Sequence, residues 1–153
     1  MKKIETEITI EADRELVWST LMNFKAYPDW NPFIKSIRGE AQKGAELEVT
    51  IGMKKGKQMD FRPEVLKAEN QTEFRWIGKL FIKGLFDGEH YFILEEQANG
   101  GTLFKHGENF SGFMVGPLLG MIKEDIQNGF NAMNEALKRQ CEKLDRKEYV
   151  NVG

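Results

Sequence analysis

The sequence predicts an α+β fold in which a curved antiparallel sheet of seven strands wraps around one long C-terminal helix. The first observation is an apolar stripe at helical spacing over residues 116–147, which includes Ile126, Phe130 and Leu137. The second is that most of the chain before this stripe alternates between apolar and polar residues, as half-buried strands do. The third is that short links separate the strands, which favours antiparallel neighbours. Because a one-faced sheet needs a cover, the helix is expected to supply it.

The alternating segments place the seven strands along the chain. The first strand is predicted for residues 3–10, and two short helical elements follow it. Asp13 has a side chain suited to capping a helix over residues 14–23. Pro28 and Pro32 limit the next helical element to one turn. The remaining strands are predicted at residues 34–41, 46–53, 59–65, 72–80, 90–97 and 102–110.

Turn residues and prolines mark the ends of these elements. Residues 54–57 (Lys-Lys-Gly-Lys) are predicted to form a basic hairpin turn, and residues 99–101 (Asn-Gly-Gly) a tight one. Residues 83–88 are predicted to form a glycine-punctuated connection. Pro63 falls inside a predicted strand, which indicates a bulge or an unpaired backbone position. Pro117 suits the first turn of the final helix.

Length and charge are those of an ordinary single-domain protein. The 153 residues suffice for one domain with its own core, and no linker divides them. The net charge of −2, with both signs interleaved, gives no reason to expect nucleic acid as a partner. No apolar run approaches the ~20 residues of a membrane span, and the amino terminus lacks a signal-peptide core. A cytoplasmic location is expected, with Cys141, the only cysteine, as a small buried hydrophobe.

Several short motifs follow one another along the chain. They are Trp18, Tyr27-Pro28-x-Trp30-Asn31-Pro32-Phe33, Trp76, Gly88-x-His90-x-Phe92, Gly101-Thr102 and Glu108-x-Phe110-Ser111-Gly112. Together, from Ile4 to about Leu144, they resemble the START-related SRPBCC superfamily, and within it the polyketide cyclase/dehydrase-like bacterial proteins.

The resemblance implies a helix-grip fold with a deep cavity between the sheet and the final helix. It also implies ligands that are small and largely apolar, such as lipids, polyketides, isoprenoids or steroid-like molecules. It transfers no reaction, because the family includes transport proteins, cyclases and modules that contact other proteins. By the same resemblance, Trp30 and Phe33 lie near the cavity mouth, either as a clamp on the ligand or as ordinary packing of the short helix.

One polar group of residues falls on faces that the alternation assigns to the interior. His106 and Glu108 share a face of the last strand, and His90 lies on the matching face of its neighbour. Desolvation there would raise the pKa of Glu108, and a charged histidine nearby would oppose that rise. The group is a structural hydrogen-bonded cluster, an orienting site for the polar end of a ligand, or a set of acid–base catalysts. A bulge at Gly107 would instead turn Glu108 outward.

The predicted ligand-binding residues lie on the inward faces and on the helical stripe. They are Trp30, Phe33, Phe61, Trp76, His90, Phe92, Phe104, His106, Glu108, Phe110, Ile126, Gly129, Phe130 and Met133. Gly129 indicates a helix kink, or a close approach by a ligand or a bulky side chain. Methionines would let a cavity wall adapt in shape, although a plain core explains them equally well: Met53, Met59, Met114, Met121 and Met133. With 11 Phe and 3 Trp, a solid aromatic core is the alternative to a cavity.

Three functions from different classes remain open. The leading one is binding of a small hydrophobic molecule, for transport, sequestration or processing, in an apolar cavity of roughly a few hundred Å³. The second is a cyclase or dehydratase that uses His90, His106 or Glu108 as acid–base groups. The third is a protein-interaction module with a filled cavity and a functional surface such as residues 54–57.

The sequence predicts no cofactor and no metal. Two histidines and a carboxylate are the ligands of some iron sites, but nothing in their spacing here demands a metal. The oligomeric state stays open, with a weak homodimer among the possibilities.

Overall fold

The computed structural model describes residues 2–80, 84 and 86–152, without the side chains of residues 80 and 148–152. Within this part of the chain, strands account for most of the first two thirds, and one long helix accounts for the remainder. The arrangement is the predicted α+β fold with an antiparallel sheet and a long C-terminal helix.

The chain opens with strand β1 (Lys2–Ile10), followed by two short helices, α1 (Arg14–Met22) and α2 (Tyr27–Trp30). Asp13 caps α1 as predicted, because its carboxylate accepts a hydrogen bond from the Leu16 amide at 2.9 Å. A proline in the first turn of α2 and a second one just after it keep this helix to a single turn.

Seven further strands follow, and together with β1 they build two antiparallel sheets. They are β2 (Ile34–Arg38), β3 (Glu48–Gly52), β4 (Gln58–Phe61), β5 (Glu64–Glu69), β6 (Glu73–Leu80), β7 (Phe86–Glu96) and β8 (Thr102–Ser111). The larger sheet has the order β1-β8-β7-β6-β5, and the smaller one has the order β2-β3-β4. The chain therefore starts in the large sheet, leaves it for the small sheet, and returns through β5.

The return from one sheet to the other explains why eight strands replace the predicted seven. The strand expected at residues 59–65 is divided at Pro63, which has no N–H to give to a ladder. The carbonyl of Pro63 still accepts a hydrogen bond, from the Leu47 amide at 2.8 Å. A single bridge between Glu46 and Glu64 marks the same crossing point. The proline thus converts one predicted strand into an edge strand of each sheet, β4 in the small sheet and β5 in the large one.

Strand β7 begins earlier than the sequence predicts. It starts at Phe86 rather than His90, so the end of the connection predicted at residues 83–88 belongs to this strand. Residues 83 and 85 of that connection lie outside the described part of the chain.

The long helix α3 (Val115–Val152) has 38 residues and packs on one face of the large sheet, chiefly against β1 and β8. Its side chains Met133, Leu137 and Cys141 are fully buried. They belong to one core with aromatic residues of the sheet: Phe74, Trp76, Phe92, Phe104 and Phe110. None of the described helices has both the length and the apolarity to cross a bilayer.

Candidate functional site

An apolar pocket of about 350 Å³ lies between the small sheet and the N-terminal half of α3. Strands β3 and β4 and the turn between them form one wall, α3 forms another, and the adjoining ends of β7 and β8 form the floor. The lining residues are Phe33, Ile51, Gly52, Met53, Lys54, Met59, Phe86, Glu108, Phe110, Ile122, Asp125, Ile126, Asn128, Gly129 and Phe130. Its volume lies at the lower end of the range for small-molecule sites.

The carboxyl group of Glu108 is a polar group on the floor of this pocket. Strand alternation places it there: β7 and β8 pair without a bulge, so His90 lies opposite Glu108 and Phe92 lies opposite His106. Gly107 keeps its regular partner, Tyr91, and therefore does not turn Glu108 outward. The Glu108 side chain is 19% exposed, whereas that of His90 is 1% exposed. The carboxyl group thus lies between the pocket and a fully buried interior.

Behind Glu108, a chain of hydrogen bonds runs through the core to β1. Its Oε1 atom lies 2.7 Å from Nδ1 of His90, and Nε2 of His90 lies 2.8 Å from Nε2 of His106. Nδ1 of His106 lies 2.9 Å from Oδ1 of Asn134 on α3. Asn134 in turn donates to the hydroxyl of Thr6 at 2.8 Å. We call these five residues the buried network. It links three strands to the helix, and each member is held by the next.

Aromatic rings seal the two histidines from water. Trp76 stacks on His90 with ring centroids 4.8 Å apart, and Phe130 stacks on His106 at 4.1 Å. Burial lowers the pKa of His90 to about 3 and lowers the pKa of His106 well below its usual value. Burial also raises the pKa of Glu108 to about 8. Both shifts favour the uncharged forms, and so they favour a hydrogen bond between neutral groups over an ion pair in the contact between Glu108 and His90.

The ring of Phe33 forms the boundary between the pocket and the buried network. It contacts the Phe130 ring at 5.5 Å and stacks on the His90 ring at 6.5 Å. It also lies directly against Gly129, where an added Cβ would be 2.5 Å from its Cδ1 atom. The close approach that the sequence indicates at Gly129 is thus made by a bulky side chain. Asn31 fixes this segment, because its Oδ1 atom accepts a hydrogen bond from the Phe33 amide at 3.0 Å.

An ion pair joins the two walls of the pocket. Lys54, in the turn between β3 and β4, places its Nζ atom 2.6 Å from Oδ1 of Asp125 on α3. The side chain of Lys54 is 67% exposed, and that of Asp125 is 28% exposed. The neighbouring Met53 is a large apolar side chain with 43% exposure. This ion pair, which we call the mouth ion pair, lies where the pocket meets the surface.

No metal centre is formed by the described residues. Nowhere among them do three or more His, Cys, Asp or Glu side chains group as metal ligands would. His90 uses one ring nitrogen for each of its neighbours, so His106, His90 and Glu108 form a chain rather than converging on one point.

The sequence matches, over residues 1–142, the family described as polyketide cyclase / dehydrase and lipid transport. The chain belongs to this family. The resemblance found from the sequence motifs is therefore confirmed at the level of the family. Among curated protein sequences, none matches the chain.

Solved structures of related shape confirm the fold. A START superfamily protein from Mycobacterium smegmatis aligns with a TM-score of 0.71 and 21% identity, over 93% of this chain and 98% of that one. The Zhui aromatase/cyclase from Streptomyces sp. R1128 aligns with a TM-score of 0.75 and 13% identity, over 92% and 93% of the two chains. A protein from Thermus thermophilus gives a TM-score of 0.73 and 14% identity, over 94% and 99%. At these identities, the likeness extends to the fold alone.

In this member of the polyketide cyclase / dehydrase and lipid transport family, part of the predicted ligand-binding set lines the pocket. These residues are Phe33, Glu108, Phe110, Ile126, Gly129 and Phe130. His90 and His106 lie behind Glu108 in the buried network. Trp76, Phe92, Phe104 and Met133 fill the core. Trp30 packs edge-on against Tyr27, with ring centroids 5.2 Å apart, and Phe61 packs against Gly78.

Several lining residues were not in the predicted set. They are Ile51, Gly52, Met53, Lys54, Met59, Phe86, Ile122, Asp125 and Asn128. The alternation of β3 and β4 places Ile51 and Met59 on an inner face, and Met53 and Met59 are among the methionines that suit an adaptable wall. The sequence does not indicate which end of the interior stays open, because that depends on the side-chain volumes of many elements.

Proposed function

We propose that the protein binds a small, largely apolar molecule in the pocket between the small sheet and α3. The observation that carries this proposal is the pocket itself: an apolar cavity of about 350 Å³ with a neutral carboxyl group on its floor. Transfer of an apolar ligand from water to apolar walls is favourable, and a single polar group fixes the orientation of the ligand. The family description, which names lipid transport beside cyclase and dehydrase activity, supports the same function.

A pair of tryptophan substitutions tests the proposal with N-phenylnaphthylamine, a fluorescent apolar probe. Ile126 lines the pocket, whereas the next residue, Gln127, is exposed on the opposite side of α3. Ile126→Trp should fill the pocket and weaken probe binding by about tenfold or more, because burial of the probe rings supplies the affinity. Gln127→Trp adds the same chromophore outside the pocket and should leave binding unchanged.

Two outcomes contradict the proposal. The first is a wild-type protein that neither binds the probe nor retains an apolar molecule in native mass spectrometry. The second is equal weakening by both tryptophan variants when both are folded, which would place the probe on the surface. Thermal unfolding of both variants verifies that they are folded.

A second candidate function, favoured by the same carboxyl group, is acid–base catalysis of a cyclisation or dehydration. A carboxylic acid with a pKa of about 8 holds its proton at neutral pH, as a general acid requires. For this candidate, the wild-type protein should accelerate cyclisation of a linear triketone, and Glu108→Gln should abolish that acceleration. For a protein that only binds its ligand, neither form accelerates the reaction.

A further inference from the structure

The direction of the hydrogen bonds in the buried network can be deduced from its far end. The backbone carbonyl of His106 can only accept, so the Thr6 hydroxyl, 3.0 Å away, donates to it. The Thr6 oxygen is then the acceptor for Nδ2 of Asn134 at 2.8 Å. Asn134 therefore turns its carbonyl oxygen, Oδ1, toward the ring of His106, and Nδ1 of His106 must donate to it.

The donor role of Nδ1 of His106 determines the roles of the two facing histidine nitrogens. A neutral imidazole has one donor and one acceptor nitrogen, so Nε2 of His106 accepts. The facing atom, Nε2 of His90, must then be the donor across the 2.8 Å contact.

The same reasoning reaches Glu108. With Nε2 of His90 as its donor, Nδ1 of the neutral His90 ring is an acceptor. The 2.7 Å contact between Nδ1 and Oε1 of Glu108 then requires the proton to lie on the carboxyl group and to point at His90. If that proton moved to His90, Glu108 would be a carboxylate. In both arrangements the other oxygen, Oε2, carries no proton and can only accept.

The Oε2 atom is free to meet a ligand. Among the described residues, none donates a hydrogen bond to Oε2. The atom is also not fully buried. The Glu108 side chain can adopt this position because residue 88 is glycine: a Cβ on Gly88 would lie 2.7 Å from Oε2. Glu108 lines the pocket, so an unpaired accepting oxygen faces the place where the ligand is proposed to bind.

We propose that the pocket selects apolar ligands that carry a hydrogen-bond donor, such as an alcohol or a phenol, over ligands that carry only acceptors. This inference rests on the proposed binding function and specifies its ligand class. A donor hydroxyl satisfies Oε2 of Glu108, whereas a ketone or an ether leaves Oε2 desolvated without a partner. An unsatisfied buried acceptor is penalised, so the preference is expected even between ligands of nearly equal size.

A measurement without ligand tests the hydrogen-bond directions. Nitrogen-15 NMR at neutral pH distinguishes protonated from unprotonated imidazole nitrogens. We expect His90 to carry its proton on Nε2 and His106 to carry its proton on Nδ1. The opposite tautomers would direct the Glu108 proton toward the pocket and would overturn the inference. Because no ligand is needed, this outcome is independent of the proposed binding function.

A matched set of probes tests the selectivity. Naphthol offers a donor hydroxyl, whereas methoxynaphthalene and acetylnaphthalene offer only acceptors on the same ring. Wild-type protein should bind naphthol about tenfold more tightly than either, the factor that corresponds to about one hydrogen bond. Glu108→Leu should lose this preference. Glu108→Gln should keep the preference for naphthol, because the Gln amide N–H donates to His90 and the Gln carbonyl oxygen accepts from the ligand.

The probe results distinguish failure of the selectivity inference from failure of the binding function. A preference for acetylnaphthalene, or equal binding of all three probes by wild-type protein, overturns the inference while leaving the binding function intact. A Gln variant that behaves like the Leu variant also overturns it, provided that NMR shows the histidine tautomers unchanged. If no probe binds, the proposed function itself fails.

Discussion

The two halves of the interior beneath α3 differ in how they are filled. Under the C-terminal half of the helix, Met133, Leu137 and Cys141 pack on sheet aromatics that are fully buried. Under the N-terminal half, Ile122 and Ile126 are only half-buried and line an apolar pocket. One helix therefore covers a solid core at one end and a cavity at the other.

The difference shows that the aromatic content of the chain is not spread evenly along the interior. The rings of Phe74, Trp76, Phe92 and Phe104 contact one another in sequence, with centroids 5.5 to 6.3 Å apart. They occupy the filled end, so the other end lacks the volume to close. The buried network and Phe33 lie between the two ends. The filled end supplies stability, and it also supplies the rigid backing that positions Glu108 at the pocket floor.

The largest expected effect comes from removing a ring at the filled end. Phe92→Ala should lower the free energy of unfolding by about 3–5 kcal/mol, because it deletes a fully buried ring and leaves a cavity. At the pocket end, Met59→Ala should lower the free energy of unfolding by only about 1 kcal/mol, since the Met59 side chain already borders the pocket. Urea denaturation of the two variants measures both changes. Equal losses would show that the two ends are equally important for stability.

The buried network gives the stability of the protein a characteristic dependence on pH. Between pH 4.5 and about 8, folded Glu108 holds a proton that the unfolded chain releases, so stability falls as pH rises. Below pH 6.5, His90 and His106 become protonated in the unfolded chain but stay neutral in the folded protein. Stability therefore rises with pH in that range. Two histidines outweigh one carboxyl group below pH 6.5. Stability should therefore peak near pH 6.5 and decline by about 1 kcal/mol toward pH 8, because the histidines partly offset the loss at Glu108.

Chemical denaturation at a series of pH values measures this profile. Glu108→Gln is the control, because its amide does not titrate, and its stability should not decline between pH 6.5 and 8 but rise slightly as the histidines of the unfolded chain lose their last protons. A wild-type profile that follows the control in this window would mean that Glu108 ionises as it does in water.

The smallest expected effect lies at the contact between the helix and the Phe33 ring. Gly129→Ala gains about 1 kcal/mol of helix propensity. However, its Cβ would meet the ring at 2.5 Å, and overpacking costs about 1–3 kcal/mol. We expect a net loss of about 1 kcal/mol in wild-type protein and a gain of about 1 kcal/mol in a Phe33→Ala background. Thermal unfolding of the four proteins completes the cycle, and equal effects in both backgrounds would exclude Phe33 as the cause.

The sequence predicted the fold and the polar cluster because both follow from local periodicity. Alternation alone placed His106, Glu108 and His90 on matching inward faces, and the absence of a bulge at Gly107 kept them there. The division of a strand at Pro63 was only half anticipated: a proline signals a break, but its neighbours do not say which sheet the chain joins next. Pairing between distant segments decides that.

The position of the pocket and the partners of the cluster could not be predicted in the same way. Asn134 and Thr6 join the network from a helix and a strand that are 128 residues apart, and no spacing in the chain records that contact. The mouth ion pair likewise joins Lys54 to Asp125, far along the chain. Such contacts depend on how elements stack in three dimensions, which periodicity does not encode.

The mouth ion pair makes access to the pocket sensitive to dissolved salt, even for a ligand that carries no charge. The Lys54 ammonium group is largely exposed, and exposed ion pairs weaken as the Debye length shortens from about 30 Å at 0.01 M to about 3 Å at 1 M. The turn between β3 and β4 is then held less firmly against α3. Uptake and release of an uncharged cargo should consequently quicken with ionic strength, while its affinity, which depends on the apolar walls, does not weaken.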